Sequence, residues 1–300
     1  MPTVKDSLSP DFIAQIKGLD IKARLVVEGF LTGLHKSPYH GFSVEFAEYR
    51  QNIPGEPVTH MDWRVFAKTD RHYLKVFAEE TNLRATLLLD CSASMGFTAD
   101  DRRPTKLAYA RLLAASFTHL LLRQNDAVGL EVFDEGPRAS VPARAIKRQL
   151  FHVLKHLDRL EPGRGTSLGA MMHRAAERLP RRGLMLLFSD LMDEPEDVLS
   201  GIKHLRHRGH EVIVFQILDP RELDLDFKRE ARFIDLERPG HEVRLEPAHV
   251  RAHYRDRVAA WRGTLRQGCR RQRVDLVEIS TDTPFDRALL AYLSKRKRMS

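Results

Sequence analysis

From Leu83 onward, short apolar runs alternate with longer segments of helical periodicity, and no other feature of the sequence restricts the fold as strongly. The runs are rich in Val, Leu and Ile and nearly free of polar residues, which is typical of strands buried on both faces of a parallel sheet. The predicted strands are Ala85–Asp90, Ala127–Phe133, Gly183–Asp190, Glu211–Leu218 and Val274–Ser280. The pattern predicts an α/β fold, a mostly parallel sheet flanked by helices.

Helices and two antiparallel features complete this part of the chain. Helices are predicted at Thr105–Arg123, Ala145–Leu157, Ser167–Leu179, Pro195–Arg208 and Val250–Gly268, with a last one after Pro284. The turn at Asp134–Pro137 predicts a strand that returns beside Ala127–Phe133. A Pro-Gly turn between alternating runs predicts an inserted β-hairpin near residues 231–246.

Residues 1–80 follow a less regular pattern. They contain a short helix candidate at Ser9–Gly18, a second apolar stretch at Ile21–Leu31 and a Gly-, His-, Ser- and Pro-rich loop at Gly33–Gly41. Strand and helix are hard to separate after that loop. We therefore divide the chain into a smaller, mixed N-terminal segment at 1–80 and a main domain at 81–300.

The composition of the chain indicates where in the cell the protein is expected. With 42% hydrophobic residues the chain can form a core, yet its mean hydropathy is −0.38 and no apolar run approaches the roughly 18 residues of a membrane span. The first residues lack the basic flank and apolar stretch of a secretory signal. Cys91 and Cys269 suggest neither a disulfide framework nor a zinc site. We expect a cytoplasmic protein without a membrane span.

Positive charge is concentrated at one end of the sequence. The net charge is +8, and residues 251–300 alone hold 13 basic and 5 acidic side chains. A basic face attracts nucleic acid or an acidic protein. No recognition-helix, zinc-finger or aromatic-stacking signature accompanies the charge. Nucleic-acid binding through this region is therefore kept only as an alternative function.

Oxygen-bearing side chains follow the predicted strands in a pattern that indicates a site. Asp90 ends a strand, and Ser92 and Ser94 follow with a period of two, so the three oxygens point to one side of an extended loop. Thr166 opens a predicted helix, and Asp190 ends another strand. Ligands of open α/β sheets bind beyond the carboxyl ends of strands. These five side chains are therefore expected to converge.

Hydroxyl and carboxylate oxygens without imidazole or thiolate suit a hard divalent cation, Mg²⁺ first and Mn²⁺ or Ca²⁺ as other candidates. We expect the three hydroxyls to be direct ligands and the two aspartates to hold waters and balance charge, with Asp193 as a further acid nearby. An open coordination position would then accept an acidic side chain of another protein. Taken alone, the Asp-x-Ser-x-Ser motif also fits a strand end followed by helix-capping serines.

Two enzymatic activities, a serine hydrolase and a metal-dependent phosphohydrolase, are alternatives to a binding function. The segment Gly165–Gly169 matches the G-x-S-x-G nucleophile elbow, but the elbow needs a strand directly before it, and a loop with Pro162 precedes Ser167. A metal-dependent phosphohydrolase would need an acid or base near the ion. Asp193 and the arginines at 102 and 103 are the available groups. Both activities remain alternatives, and no catalytic residue is predicted.

The five oxygen donors resemble the metal-ion-dependent adhesion site of von Willebrand factor A domains. That resemblance implies a Rossmann-like sheet with one antiparallel edge strand. The segment ahead of it is similar to the signature of the bacterial domain of unknown function 58 family, with matches at Gly33, His35, Ser37, Gly41, Phe46, Arg50, Pro54-Gly55 and Asp62-Trp63. The C-terminal stretch Ser280–Arg296 also resembles that family. Glu56 and Met61 depart from the family pattern.

The resemblance also implies a role. Members of the family are commonly encoded beside MoxR-type AAA+ ATPases. It therefore implies a non-enzymatic adaptor that works with such an ATPase in the assembly or activation of other proteins.

Overall fold

A computed structural model describes residues 9–14, 16–35, 48–51, 73–76, 83–180, 182–227, 230–238 and 240–299. Several positions of the predicted family signature, Ser37, Gly41, Phe46 and Pro54–Trp63, lie outside these ranges. Residues 80 and 81 also lie outside the described ranges. The division of the chain at 1–80 and 81–300 therefore stays a prediction.

Strands of the described residues form one large sheet and two small antiparallel pairs. In chain order they are β1 (Glu48–Gln51), β2 (Tyr73–Val76), β3 (Arg84–Asp90), β4 (Ala127–Phe133), β5 (Pro137–Arg144), β6 (Leu184–Ser189), β7 (Glu211–Leu218), β8 (Ala231–Ile234), β9 (Glu242–Leu245) and β10 (Asp275–Ser280). β1 pairs with β2, and β8 pairs with β9. The other six form a sheet in the order β10-β7-β6-β3-β4-β5.

The large sheet confirms the predicted fold class. β3 lies at its centre and pairs in parallel with β4 on one side and β6 on the other. Only β5, at the edge, runs antiparallel, beside β4. The β8–β9 pair is the expected hairpin insertion. Because the chain order reverses between β3 and β6, the carboxyl ends of these two strands border the crevice where α/β sheets bind ligands.

Helices cover both faces of the sheet. In chain order they are α1 (Pro10–Ala14), α2 (Leu19–His35), α3 (Lys106–Arg123), α4 (Gln149–Asp158), α5 (Leu168–Arg178), α6 (Pro195–His207), α7 (Pro220–Asp224), α8 (Pro247–Arg271) and α9 (Asp286–Met299). α2, α3, α4 and α9 share one core cluster, and α5, α6 and α8 share another on the opposite face. Of the described helices, none has both the length and the apolarity that crossing a bilayer requires.

Both cores are built from alternate residues of the same strands. In β6, Leu186 and Phe188 enter the first cluster, whereas Met185 and Leu187 enter the second. Phe188 stacks on Phe215 of β7 with ring centroids 5.0 Å apart. Burial on both faces explains why the strands are continuous apolar runs in the sequence.

α2 belongs to the first core although it comes from the predicted N-terminal segment. Ala23, Val26, Val27 and Phe30 follow the i, i+3, i+4, i+7 spacing of an amphipathic helix and are all buried. The helix packs against α3. The apolar face of α2 is therefore buried in the core on one side of the large sheet.

Candidate metal centre

The loop after β3 gathers three of the predicted oxygen donors. Asp90 is buried, and its Oδ1 accepts a hydrogen bond from the Ser92 backbone N–H at 2.8 Å. Its Oδ2 accepts from the Ser189 hydroxyl at 2.6 Å. The Ser92 and Ser94 hydroxyl oxygens lie 3.1 Å apart. The expected extended loop is wrong, because the backbone turns at Ala93 into a short 3₁₀ helix at Ser94–Gly96. This turn still places the Ser92 and Ser94 hydroxyls side by side.

The loop after β6 adds a carboxylate that is already paired with a cation. Asp190 is buried, and its Oδ1 accepts a hydrogen bond from the Met192 backbone N–H at 3.1 Å. Its Oδ2 lies 2.7 Å from Nζ of Lys106, the first residue of α3. The same ammonium lies 2.6 Å from Oε1 of Glu222 in α7. Lys106 has 0% of its side chain exposed, so this is an interior ion-pair network.

Thr166 enters from the loop between α4 and α5. Its hydroxyl oxygen is buried and has no hydrogen-bond partner within the described part of the chain. Asp193, predicted to be an acid near the ion, accepts hydrogen bonds from the backbone N–H groups of Leu168 and Glu194. Asp193 thus ties the β6 loop to the start of α5, beside Thr166.

Glu237, from the turn of the β8–β9 hairpin, lies in the same cluster. Its Oε2 accepts a hydrogen bond from the Thr166 backbone N–H at 3.1 Å. Burial raises the pKa of Glu237, hydrogen bonds from Ser94 and from the Thr166 N–H oppose the rise, and the Asp190 charge adds to it. The hairpin carboxylate therefore lies between the β3 loop and the α5 loop, within electrostatic reach of Asp190.

Negative charge dominates this cluster. Burial and the neighbouring Asp190 carboxylate raise the pKa of Asp90 to about 7, although hydrogen bonds from Ser189 and Ser92 oppose the shift. The pKa of Lys106 is raised despite its burial, because Asp190 and Glu222 favour the charged ammonium. Lys106 thus pairs with two carboxylates, those of Asp190 and Glu222, while Asp90 and Glu237 add two more to the same region without an ammonium of their own. A cation would relieve this excess of negative charge.

The donor set therefore fits a hard cation. Of the five predicted residues, Ser92 and Ser94 lie side by side, Asp90 lies within electrostatic reach of Asp190, and Thr166 is joined to this region through Glu237. The unpartnered Thr166 hydroxyl supplies a free acceptor. Within the described ranges, no group of three or more His, Cys, Asp or Glu side chains is placed to hold a metal ion. The predicted set differs in kind, since three of its five members are hydroxyls, which suit Mg²⁺.

Four residues of the cluster are not predicted from the sequence: Lys106, Ser189, Glu222 and Glu237. Lys106 carries a detectable signal, because a cation in the first turn of a helix opposes the helix dipole and so suggests a specific partner. Glu222 completes a capping box with Asp219 directly after β7, a D-x-x-E pattern at a strand end. The position of Glu237 depends on where the hairpin docks, which no local pattern reveals.

The competing reactive groups have ordinary structural surroundings. Ser167 follows a loop that comes after α4, so the strand that a nucleophile elbow requires is replaced by a helix and a loop. Burial raises the pKa of the Cys91 thiol to about 12, and Asp134 and Asp90 add to the rise. Its Sγ donates to the Phe133 carbonyl oxygen. Burial also raises the pKa of Cys269 to about 11. Neither thiol is activated.

A groove of about 420 Å³ adjoins the cluster. Its lining is more polar than apolar: it includes Thr166 and the acidic residues Asp193, Glu194, Glu222 and Glu237, and Met192 and Trp261 add apolar surface. The groove therefore offers both polar and apolar contacts beside the candidate centre.

Two curated relatives span nearly the whole chain. Uncharacterised proteins of Mycobacterium tuberculosis and Mycobacterium bovis are each 24% identical over 293 residues, which cover 96% of this chain and 91% of the relative. Among solved structures, the conserved hypothetical protein BatB from Bacteroides thetaiotaomicron is 16% identical, with a TM-score of 0.49 over 73% of this chain and 100% of BatB. An aerotolerance-related membrane protein from Bacteroides fragilis is 17% identical, with a TM-score of 0.47 over 71% of this chain and 99% of the other.

The family model described as "Protein of unknown function DUF58" matches residues 48–264. That span begins at β1 and ends within α8, so it includes every predicted metal ligand and the hairpin. Because the match covers most of the sequence, the chain belongs to the DUF58 family.

Proposed function

We propose that this protein is a non-enzymatic binding module that presents a divalent cation, by preference Mg²⁺, to an acidic side chain of a partner protein. One observation carries the proposal: the buried Thr166 hydroxyl lacks a hydrogen-bond partner among the described residues, although the backbone N–H of the same residue donates to Glu237. A buried oxygen left without a partner costs about 1–3 kcal/mol. A cation held by this oxygen would remove that cost.

The proposed site residues have two different roles in holding the cation. Ser92, Ser94 and Thr166 supply neutral oxygens as direct ligands, and Asp90 and Asp190 hold waters and balance charge. When bound, the cation supplies a Lewis-acidic docking point for a carboxylate. Lys106 neutralises part of the Asp190 charge, so that Asp190 orients a water and leaves the cation electrophilic toward an incoming carboxylate.

A MoxR-type AAA+ ATPase is the partner we propose. This step rests on membership of the DUF58 family and on the association of that family with such ATPases. The protein would then act as an adaptor in the assembly or activation of client proteins, and the groove beside the cluster would take the residues that flank the partner's acidic side chain.

The alternative functions find less support. A phosphohydrolase needs a free acid or base, but both carboxylate oxygens of Asp193 accept backbone hydrogen bonds and Arg102 pairs with Asp100. Nucleic-acid binding would use the basic C-terminal region. There Arg262 and Arg266 form ion pairs with Glu278. Part of the basic excess is therefore neutralised within the fold.

Metal affinity tests the proposal directly. Ser94→Ala is expected to weaken Mn²⁺ binding about 10- to 100-fold, because metal affinity depends on each oxygen of the set. Isothermal titration of the full chain measures the change, and circular dichroism checks that the variant is folded. Ser200→Ala, on the exposed side of α6, is the matched control and should bind like the wild type.

Partner capture provides the second readout. A MoxR-type ATPase retained by the immobilised protein in Mg²⁺ should elute with EDTA and should not be retained by folded Asp90→Ala protein. Retention that ignores both EDTA and the substitution would contradict a metal-mediated contact. A wild type that binds no Mn²⁺ would overturn the proposal at its base.

A further inference from the structure

We propose that Glu237 is an internal ligand of the metal centre: it occupies the open coordination position in the resting protein, and the β8–β9 hairpin must release it before a partner's carboxylate can dock. This inference rests on the proposed function. In this proposal the β8–β9 hairpin acts as a plug, meaning that its Glu237 blocks the open coordination position until the hairpin moves away. Glu237 is also added to the predicted set of ligands.

The contacts of Glu237 are those of a docked acidic ligand. Its Oε2 accepts the Thr166 backbone N–H at 3.1 Å. Its Oε1 is buried and has no hydrogen-bond partner in the described ranges. The Thr166 hydroxyl oxygen is also buried and unpartnered. Thr166 and Glu237 are joined by a hydrogen bond and each holds one buried oxygen without a partner, which a shared cation would satisfy.

The distribution of charge also supports Glu237 as an internal ligand. Glu237 brings its carboxylate to a groove that the carboxylates of Glu222 and Asp193 also line. A side chain on a surface hairpin could otherwise turn toward water. Like charges gathered at one place are stable when a cation lies among them, so the approach of Glu237 to the cluster is favourable with the metal and unfavourable without it.

The turn is built to hold Glu237 in this position. The Asp235 carboxylate Oδ1 accepts hydrogen bonds from the backbone N–H groups of Glu237 and Arg238, at 2.9 and 3.0 Å. The Asp235 N–H in turn donates to the His241 carbonyl oxygen. These bonds fix the backbone on both sides of the turn, so the Glu237 side chain is presented without a large entropic cost.

The rest of the hairpin is weakly anchored. Each strand has four residues, and an isolated two-stranded hairpin is marginally stable in water. Ile234, Leu236 and Val243 are 49%, 47% and 59% exposed. Phe233 packs edge to face on Phe227, with ring centroids 5.4 Å apart. This ring contact and the hydrogen bond from Thr166 to Glu237 are two restraints that the departure of the hairpin must break.

Water proton relaxation by bound Mn²⁺ tests whether Glu237 fills a coordination position. With three hydroxyls and Glu237 as direct ligands, two of six positions hold water. Glu237→Ala should open a third, so the relaxation enhancement per bound Mn²⁺ should rise about 1.5-fold. Acetate should then lower the enhancement in Glu237→Ala protein and leave the wild type unchanged. Glu242→Gln, an exposed carboxylate on the same hairpin, should behave like the wild type.

Hydrogen exchange of residues 231–246 gives an independent measurement. Mg²⁺ should slow amide exchange in this segment of the wild type and of Glu242→Gln, but not of Glu237→Ala. Equal relaxation, equal acetate response and equal exchange in the wild type and Glu237→Ala would overturn the internal ligand. If Mn²⁺ still binds in that case and Ser94→Ala still weakens it, the proposed metal-dependent function stands without the plug.

Discussion

Lys106→Met is expected to lower the free energy of unfolding by about 3–5 kcal/mol, the usual cost of removing one partner from a buried ion pair. Methionine matches the lysine stem, so packing changes little and the loss of the ammonium dominates. Asp190 and Glu222, which the Nζ contacts at 2.7 and 2.6 Å, would then face each other without it. Urea denaturation of the metal-free protein measures the change.

A matched lysine and a compensating variant make this prediction specific. Lys203→Met, at an exposed position of α6, should change stability by no more than about 0.5 kcal/mol. Adding Glu222→Gln to Lys106→Met should recover part of the loss, because one of the two facing charges is removed. A loss for Lys106→Met no larger than that of the control would show that the network is open to water.

Asp90→Asn is expected to stabilise the metal-free protein at pH 8, by up to about 4 kcal/mol relative to the wild type. The pKa of Asp90 is raised to about 7, chiefly by burial and then by Asp190. The folded protein therefore holds this proton more tightly than the unfolded chain, in which the pKa is about 3.9. The resulting stabilisation is full below about pH 4 and is lost as the pH rises through about 7.

Asparagine keeps the contacts while removing the charge. Its carbonyl can accept from the Ser92 N–H, and its amide can donate to the Ser189 oxygen, which also accepts the Leu191 N–H. The stability difference between variant and wild type should therefore grow from pH 5 to pH 8 in EDTA. Asp256→Asn, at an exposed position of α8, should show no such growth. A difference that stays constant with pH would contradict a buried, raised-pKa carboxyl.

Magnesium should reverse the order of stability of Asp90→Asn and the wild type. A cation favours the ionised form of Asp90, so saturating Mg²⁺ should stabilise the wild type at pH 8 and leave Asp90→Asn nearly unchanged. Thermal denaturation with and without Mg²⁺ separates the two proteins. A similar response of both would argue that Asp90 takes no part in holding a metal.

The sheet is the part of the fold that the sequence predicts best. Ala127–Phe133 and Glu211–Leu218 are predicted with the bounds that the structure shows, because central parallel strands are buried on both faces and carry an uninterrupted apolar signal. Helix ends are less accurate. α8 begins at Pro247, three residues before its predicted start, although proline at the first helical position is a known start signal.

The candidate metal centre also contains residues that the sequence predicts and residues that it does not. Asp90 and Asp190 are predictable because parallel strands end at one edge of the sheet, whatever the details of packing. Thr166 follows from the helix start that it precedes. Lys106, Glu222 and Glu237 join through contacts between residues distant in the chain. Their positions depend on tertiary packing, which periodicity does not encode.

Cys91 and Cys269 lie in the two core clusters on opposite faces of the sheet. Both thiols are shielded, so each can be modified by a labelling reagent only when its own layer opens. Cys91 immediately follows Asp90, and its labelling rate would therefore report release of the β3 loop. Cys269 would report loosening beneath α8 in the same sample. The native chain thus carries a pair of built-in chemical reporters, which distinguish a local rearrangement at the candidate centre from general unfolding without any engineered probe.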